Sequence, residues 1–147
     1  MSARALAVGA VALAVAGYGS SPPSAVANLQ RQAARVCTRA QARGTEIKPP
    51  ALPAQTAEFL RLGIAVLRPE LDSLRALRVP PVQSGEYSTA VGSLDRELTI
   101  LTDTARELDR GADPLTTIKA LEHRLAPVEA AGDTAWRTLG VPACIAH

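Results

Sequence analysis

Nucleophilic or acid–base catalysis needs a nucleophile, a base and a group that orients the base. For the base this chain offers two imidazoles, His123 and His147. Neither sits in a motif that would employ it: there is no G-x-S-x-G elbow, phosphate-binding glycine loop, H-E-x-x-H or C-x-x-C-H haem site. Metal-binding helical bundles carry Glu-x-x-His pairs, but the residue three before His123 is Ala120. The expectation is a protein with no catalytic, cofactor or metal residues, and with His123 on the solvent side of a helix. An envelope hydrolase or metal protein is the outside alternative.

Carboxylates occur close together as Glu70/Asp72 and Asp103/Glu107, the second pair at i,i+4, where like charges share a helix face. Arg68, Arg75, Arg106 and Arg110 lie beside them, which predicts solvated helix surface. A more distinctive pattern is Arg31, Arg35, Arg39 and Arg43, every fourth residue with no acid between Asn28 and Gly44. On a helix these make one basic stripe. It reads either as an anion-binding face for phospholipid headgroups or an acidic polymer, or as a solvent face paired with carboxylates of neighbouring helices.

Two prolines fall inside helical patterns, where each bends the helix. Pro69 and Pro127 both lie 13 residues after the start of their segment. If the second and fourth helices run parallel, the bends sit at similar height. They would open an apolar pocket near Leu67, Leu71, Leu125 and Val128 and free the carbonyls of Ala65 and His123; the alternative is a filled core that the kinks merely wrap. Trp136, Phe59 and Tyr87 are read as structural, with Trp136 a core plug near Cys144.

Four helical segments must position these groups, and no stretch alternates with the two-residue period of a strand. The first, about Asn28 to Arg43, carries Leu29, Val36 and Ala40 and stops at Gly44. The second, about Thr56 to Leu77, places Leu60, Ile64, Leu67, Leu71 and Leu74 in a 4-3-4-3 seam between proline breaks. The third, about Glu86 to Arg110 behind a Ser84 cap, repeats the spacing through Tyr87, Val91, Leu94, Leu98, Leu101, Ala105 and Leu108. The fourth opens at Asp113-Pro114 and runs through Ile118, Leu121, Leu125, Val128, Ala135 and Leu139 to Gly140. The predicted fold is all-α, an up-down four-helix bundle with the first and fourth helices side by side.

That topology lets Cys144 fold back on Cys37. The two cysteines lack C-x-x-C spacing and have no further metal ligands nearby. A disulfide between them is expected in an oxidising compartment.

Such a compartment is also the message of the N-terminus. Met1 to Gly17 has one early charge, Arg4, then an uncharged run from Ala5 to Gly17, the layout of a secretory signal peptide. The run is shorter than the roughly 20 residues that span a bilayer. A-x-A sites allow cleavage after Ala16 or Ala27, and a Gly/Ser/Pro tether lies between. Residues 1–27 are therefore read as address and tether, and 28–147 as the helical domain.

The segment Val15-Ala16-Gly17-Tyr18 is lipobox-like with Tyr18 in the cysteine's place, and a phenol cannot form the thioether of a lipid anchor. Together with the Ser/Pro tether, Cys37 on the first helix and the closing Leu139-Gly-Val-Pro-Ala-Cys144, the chain resembles small uncharacterised secreted proteins and lipoproteins of actinobacteria. The resemblance implies an envelope location and no defined activity. With 16 Lys+Arg against 14 Asp+Glu, the net charge of +2 is too balanced to suggest an electrostatic nucleic-acid footprint, and no nucleic-acid partner is expected. The sequence thus predicts an exported, non-enzymatic binding module. Its partner is an envelope protein, an anionic surface or a small apolar ligand, with membrane contact only peripheral or through an uncleaved signal segment.

Overall fold

Periodic leucines and punctuating prolines divide the chain into helices that must bury one stripe each. The computed structural model describes residues 23–145. It contains α1 (Pro23–Gly44), α2 (Thr56–Arg75), α3 (Ser84–Asp109) and α4 (Pro114–Leu139), with 3₁₀ turns at Pro53–Gln55, Pro81–Gln83 and Pro142–Cys144. No strand occurs among the described residues. Ala16, Tyr18 and His147 lie outside the described residues, as does the Met1–Gly17 segment.

Helix α1 begins five residues before the expected Asn28, so Ala27 is helical and the tether cannot extend to it. Pro23 opens that helix, where a missing N–H costs nothing. The start of α4 follows its sequence signature: Asp113 Oδ1 accepts from Thr116 N at 2.9 Å and from Thr116 Oγ1 at 2.8 Å. Those bonds hold the Asp113 carboxyl below its usual range. Ser84 is not the cap of α3. Its hydroxyl donates back to Pro81 O at 2.9 Å, and the 3₁₀ turn before it makes the transition into the helix.

Helix α4 ends at Gly140, whose φ of 71° lets Val141 N reach Trp136 O and Gly140 N reach Arg137 O, both at 3.0 Å. This left-handed cap reverses the chain and sends the tail along α1. Gln30 Nε2 donates to Leu139 O and Gln41 Nε2 to Ala143 O, each at 2.9 Å, so α1 satisfies one carbonyl at the end of α4 and one in the tail. Cys37 and Cys144 form a disulfide with a Cα–Cα separation of 5.1 Å.

Helix α3 packs along both α2 and α4, whereas α1 rests on α2 and on the tail. The expected side-by-side placement of α1 and α4 is corrected accordingly: the 3₁₀ turn carrying Cys144 is what α1 packs against. Two apolar clusters fill the interior. One joins all four helices through Leu29, Ala33, Leu71, Leu74, Tyr87, Leu98, Trp136 and Leu139, with Val141 from the tail. The other, Leu60, Leu101, Ala105 and Leu121 with Phe59 and Ile118 against it, comes from α2, α3 and α4 alone. Tyr87 and Trp136 meet edge to face with centroids 5.8 Å apart, and Tyr87 Oη donates to Leu74 O at 2.7 Å.

Since α1 contributes to one cluster only, its attachment depends heavily on the tail. A Cys37→Ser/Cys144→Ser double variant is expected to lose about 3 to 4 kcal/mol, in keeping with a closed loop of about 107 residues. Urea denaturation followed by helical circular dichroism checks this: an unchanged midpoint would show that the bond contributes nothing.

Candidate functional site

The apolar stripes of three helices are each interrupted by acid. Glu70 lies three residues after Leu67 and four before Leu74, and Glu97 three after Leu94 and four before Leu101. Helical geometry therefore turns both carboxylates toward the leucines. On α4, Glu129 and Asp133 are four apart, with Asp133 three before the buried Trp136.

These four acids line one cavity of about 140 Å³. Its apolar walls are Leu67, Leu74, Leu94, Val128 and Trp136, and Cys37 and Cys144 lie at its edge. Ser93 also lines it, only 3% exposed, and its hydroxyl has no hydrogen-bond partner. A Cβ on Gly132 would approach Ser93 Cβ to 3.2 Å, so glycine here permits the close approach of α4 to α3 beside the cavity.

Glu70 is 8% exposed, and burial pushes its carboxyl up to about 7, helped by the charge of Glu97 and opposed by Arg43 at the end of α1. Burial likewise pushes Glu97 up to about 7, with Glu129 and Asp133 adding repulsion. Asp133 is tied at the rim to Arg137 at 3.4 Å. Among the described residues no group of three or more His, Cys, Asp or Glu side chains is arranged to hold a metal ion. The acids surround a space larger than a point.

Several expectations change here. Of the residues predicted to line an apolar pocket, Leu67 and Val128 do line the cavity. Leu71 is 1% exposed within the core, Leu125 packs on the second cluster, and Pro69 and Pro127 are exposed. The pocket is acidic rather than apolar, because Glu70 and Glu97 occupy positions of the leucine spacing. Glu70 is accordingly not solvated surface, although Asp72 is exposed and Asp103 and Glu107 pair with Arg106 and Arg124 at 3.1 and 3.6 Å. The sequence reading missed Ser93, Glu97, Glu129, Gly132 and Asp133. A charge at a seam position was the available signal.

His123 is exposed. Arg31, Arg35, Arg39 and Arg43 are all exposed, and the ion pairs among the described residues involve other arginines. Pairing with neighbouring carboxylates therefore does not account for the stripe. Arg43 alone approaches an acid electrostatically, Glu70.

The raised carboxyls set a pH dependence with a definite sign. In the folded chain Glu70 and Glu97 hold their protons up to about 7, whereas the unfolded chain releases them near 4.5. Stability is fully present below 4.5 and falls as pH rises through 7. Discounted for the partial exposure of Glu97, the pair accounts for roughly 3 kcal/mol lost between pH 5 and pH 8. Glu97→Gln is expected to raise the melting temperature at pH 8 and flatten this dependence. Thermal unfolding across that range is the check, and a ligand-free protein that is stabler at pH 8 would contradict it.

Comparison with protein-family models, curated proteins and solved structures gives no match, so the reading of this cavity rests on the residues that build it.

Proposed function

We propose that this chain is an exported cell-envelope protein that binds a small ligand in the cavity between α2, α3 and α4 and performs no chemistry on it. The observation carrying this reading is the acid-lined cavity itself, because buried polar groups are normally partnered. Here about 140 Å³ stays open beside an unpartnered hydroxyl and carboxylates held off their usual ionisation. In this reading the helices form an up-down four-helix bundle behind a signal peptide and tether.

Export is supported by two independent features. One is the signal-like Met1–Gly17 segment, and the other is the Cys37–Cys144 bond, which persists in oxidising compartments. No helix among the described residues is long and apolar enough to cross a membrane. The acids on the wall favour a polar or charged ligand over the small apolar molecule otherwise considered.

A second reading concerns attachment. Arg31, Arg35 and Arg39 of α1, exposed and unpaired with carboxylates among the described residues, favour docking on an anionic envelope surface.

Intact mass of the protein recovered separately from medium and membranes of an expressing bacterium tests export. The expected product is soluble, cleaved after Ala16, with both thiols blocked until reduction. A native spectrum of the same sample is expected to carry a small non-covalent adduct. A full-length, membrane-held, reduced species without an adduct would overturn the proposal. For the stripe, cosedimentation with anionic vesicles at low salt, lost at high salt and in an Arg31→Gln/Arg35→Gln/Arg39→Gln variant, is expected; no retention even at low salt removes the docking surface.

A further inference from the structure

We propose that the cavity ligand is a small organic ammonium ion, a cation with a hydrocarbon body of about six heavy atoms. The inference rests on the binding reading above and names the chemistry of its ligand.

Size comes first. A cavity of about 150 Å³ accommodates one benzene ring, and this one measures about 140 Å³. A bare divalent ion would leave most of that space empty, and no ligand cluster for one exists among the described residues.

Charge comes second. Glu70 and Glu97 face each other across α2 and α3, and Glu129 and Asp133 face Glu97 from α4. Arg43 of α1 lies beside Glu70, and Arg137 pairs with Asp133 at 3.4 Å. Neither the Glu70 nor the Glu97 carboxyl has a hydrogen-bond partner among the described residues, and both line the cavity, so a donor that enters it meets free acceptor oxygens. An ammonium group brings a positive charge and N–H donors, and the unpartnered Ser93 Oγ is a further acceptor. Trp136, 5% exposed, contributes an aromatic surface of the kind that attracts such cations, and Leu67 and Leu94 suit the hydrocarbon body.

Access is the third point. An open groove of about 550 Å³ between the C-terminal part of α1 and α2 shares Leu67 and Glu70 with the cavity. Gly44 and Gly63 border that groove, with open space where a Cβ would stand. Glu70 therefore stands where groove and cavity meet. A cation arriving there displaces the protons that the ligand-free site holds near neutrality, so binding strengthens as pH rises.

The test is isothermal titration calorimetry of the disulfide-intact chain with cyclohexylammonium, with cyclohexanol as the neutral counterpart and with calcium. Cyclohexylammonium is expected to bind one to one, at least about tenfold tighter at pH 8 than at pH 5.5, where both carboxyls are largely protonated. Glu97→Gln, which relieves repulsion and so keeps the fold, is expected to weaken binding about tenfold at pH 8, and Ser93→Ala less. Binding that ignores pH and Glu97→Gln would place the amine on the outer surface and overturn the proposal. Tighter binding of calcium would overturn it in favour of a metal site. Cyclohexanol binding without the amine would overturn it while leaving the binding reading intact. If neither organic probe binds and the native spectrum also lacks an adduct, both fall.

Discussion

The attachment of α1 to the end of α4 is the constraint on which the rest of this structure depends. Helices α2, α3 and α4 share a second apolar cluster in which α1 takes no part. What holds α1 is the first cluster, the Cys37–Cys144 bond and two glutamine side chains on the tail's carbonyls. The left-handed turn at Gly140 makes this geometry available, since it redirects the chain toward Gln30 within one residue. The positive φ is what demands glycine there, and a β-carbon would in addition displace the Gln30 amide, 2.8 Å away, from its bond to Leu139 O. Cap, tail and covalent bond act as one joint.

The same joint bounds the acidic cavity, because Cys37, Cys144 and Trp136 all lie on its lining. Filling that space with leucine at position 70 or 97 would extend the apolar cluster and relieve buried charge, both stabilising changes in physical terms. The chain instead places glutamates in the leucine spacing and a glycine at 132 that lets α4 approach Ser93. A site that is costly to the empty fold and favourable once filled is what a stability–function trade-off produces. The disulfide, contributing most through the unfolded chain, offsets that cost without occupying the cavity.

Much of the architecture was legible because it is written in local chemistry. The leucine seams of α2 and α3, the Asp113 cap and the stop at Gly140 each depend on a few neighbouring residues, the cysteine pairing follows from there being just two cysteines, and all recur in the structure. The start of α1 was obscured because Pro22, Pro23 and Ser24 resemble a tether as much as a helix N-terminus. The placement of α1 was not legible either: a single apolar stripe says that a helix must be covered, not by which neighbour.

The cavity was not legible because its acids are scattered along the chain. Glu70 beside Arg68 and Asp72 looks like ordinary charged surface when residues are grouped by adjacency in the chain. Grouped by helical position, it falls between Leu67 and Leu74, as Glu97 falls between Leu94 and Leu101. One such acid is an isolated irregularity of a helix face. Two on facing helices, joined by Glu129 and Asp133 from a third, repel one another when ionised and are costly to gather in one place. Their coincidence leaves a space lined by four acids, and neither Arg43 nor Arg137 is among the residues that line it.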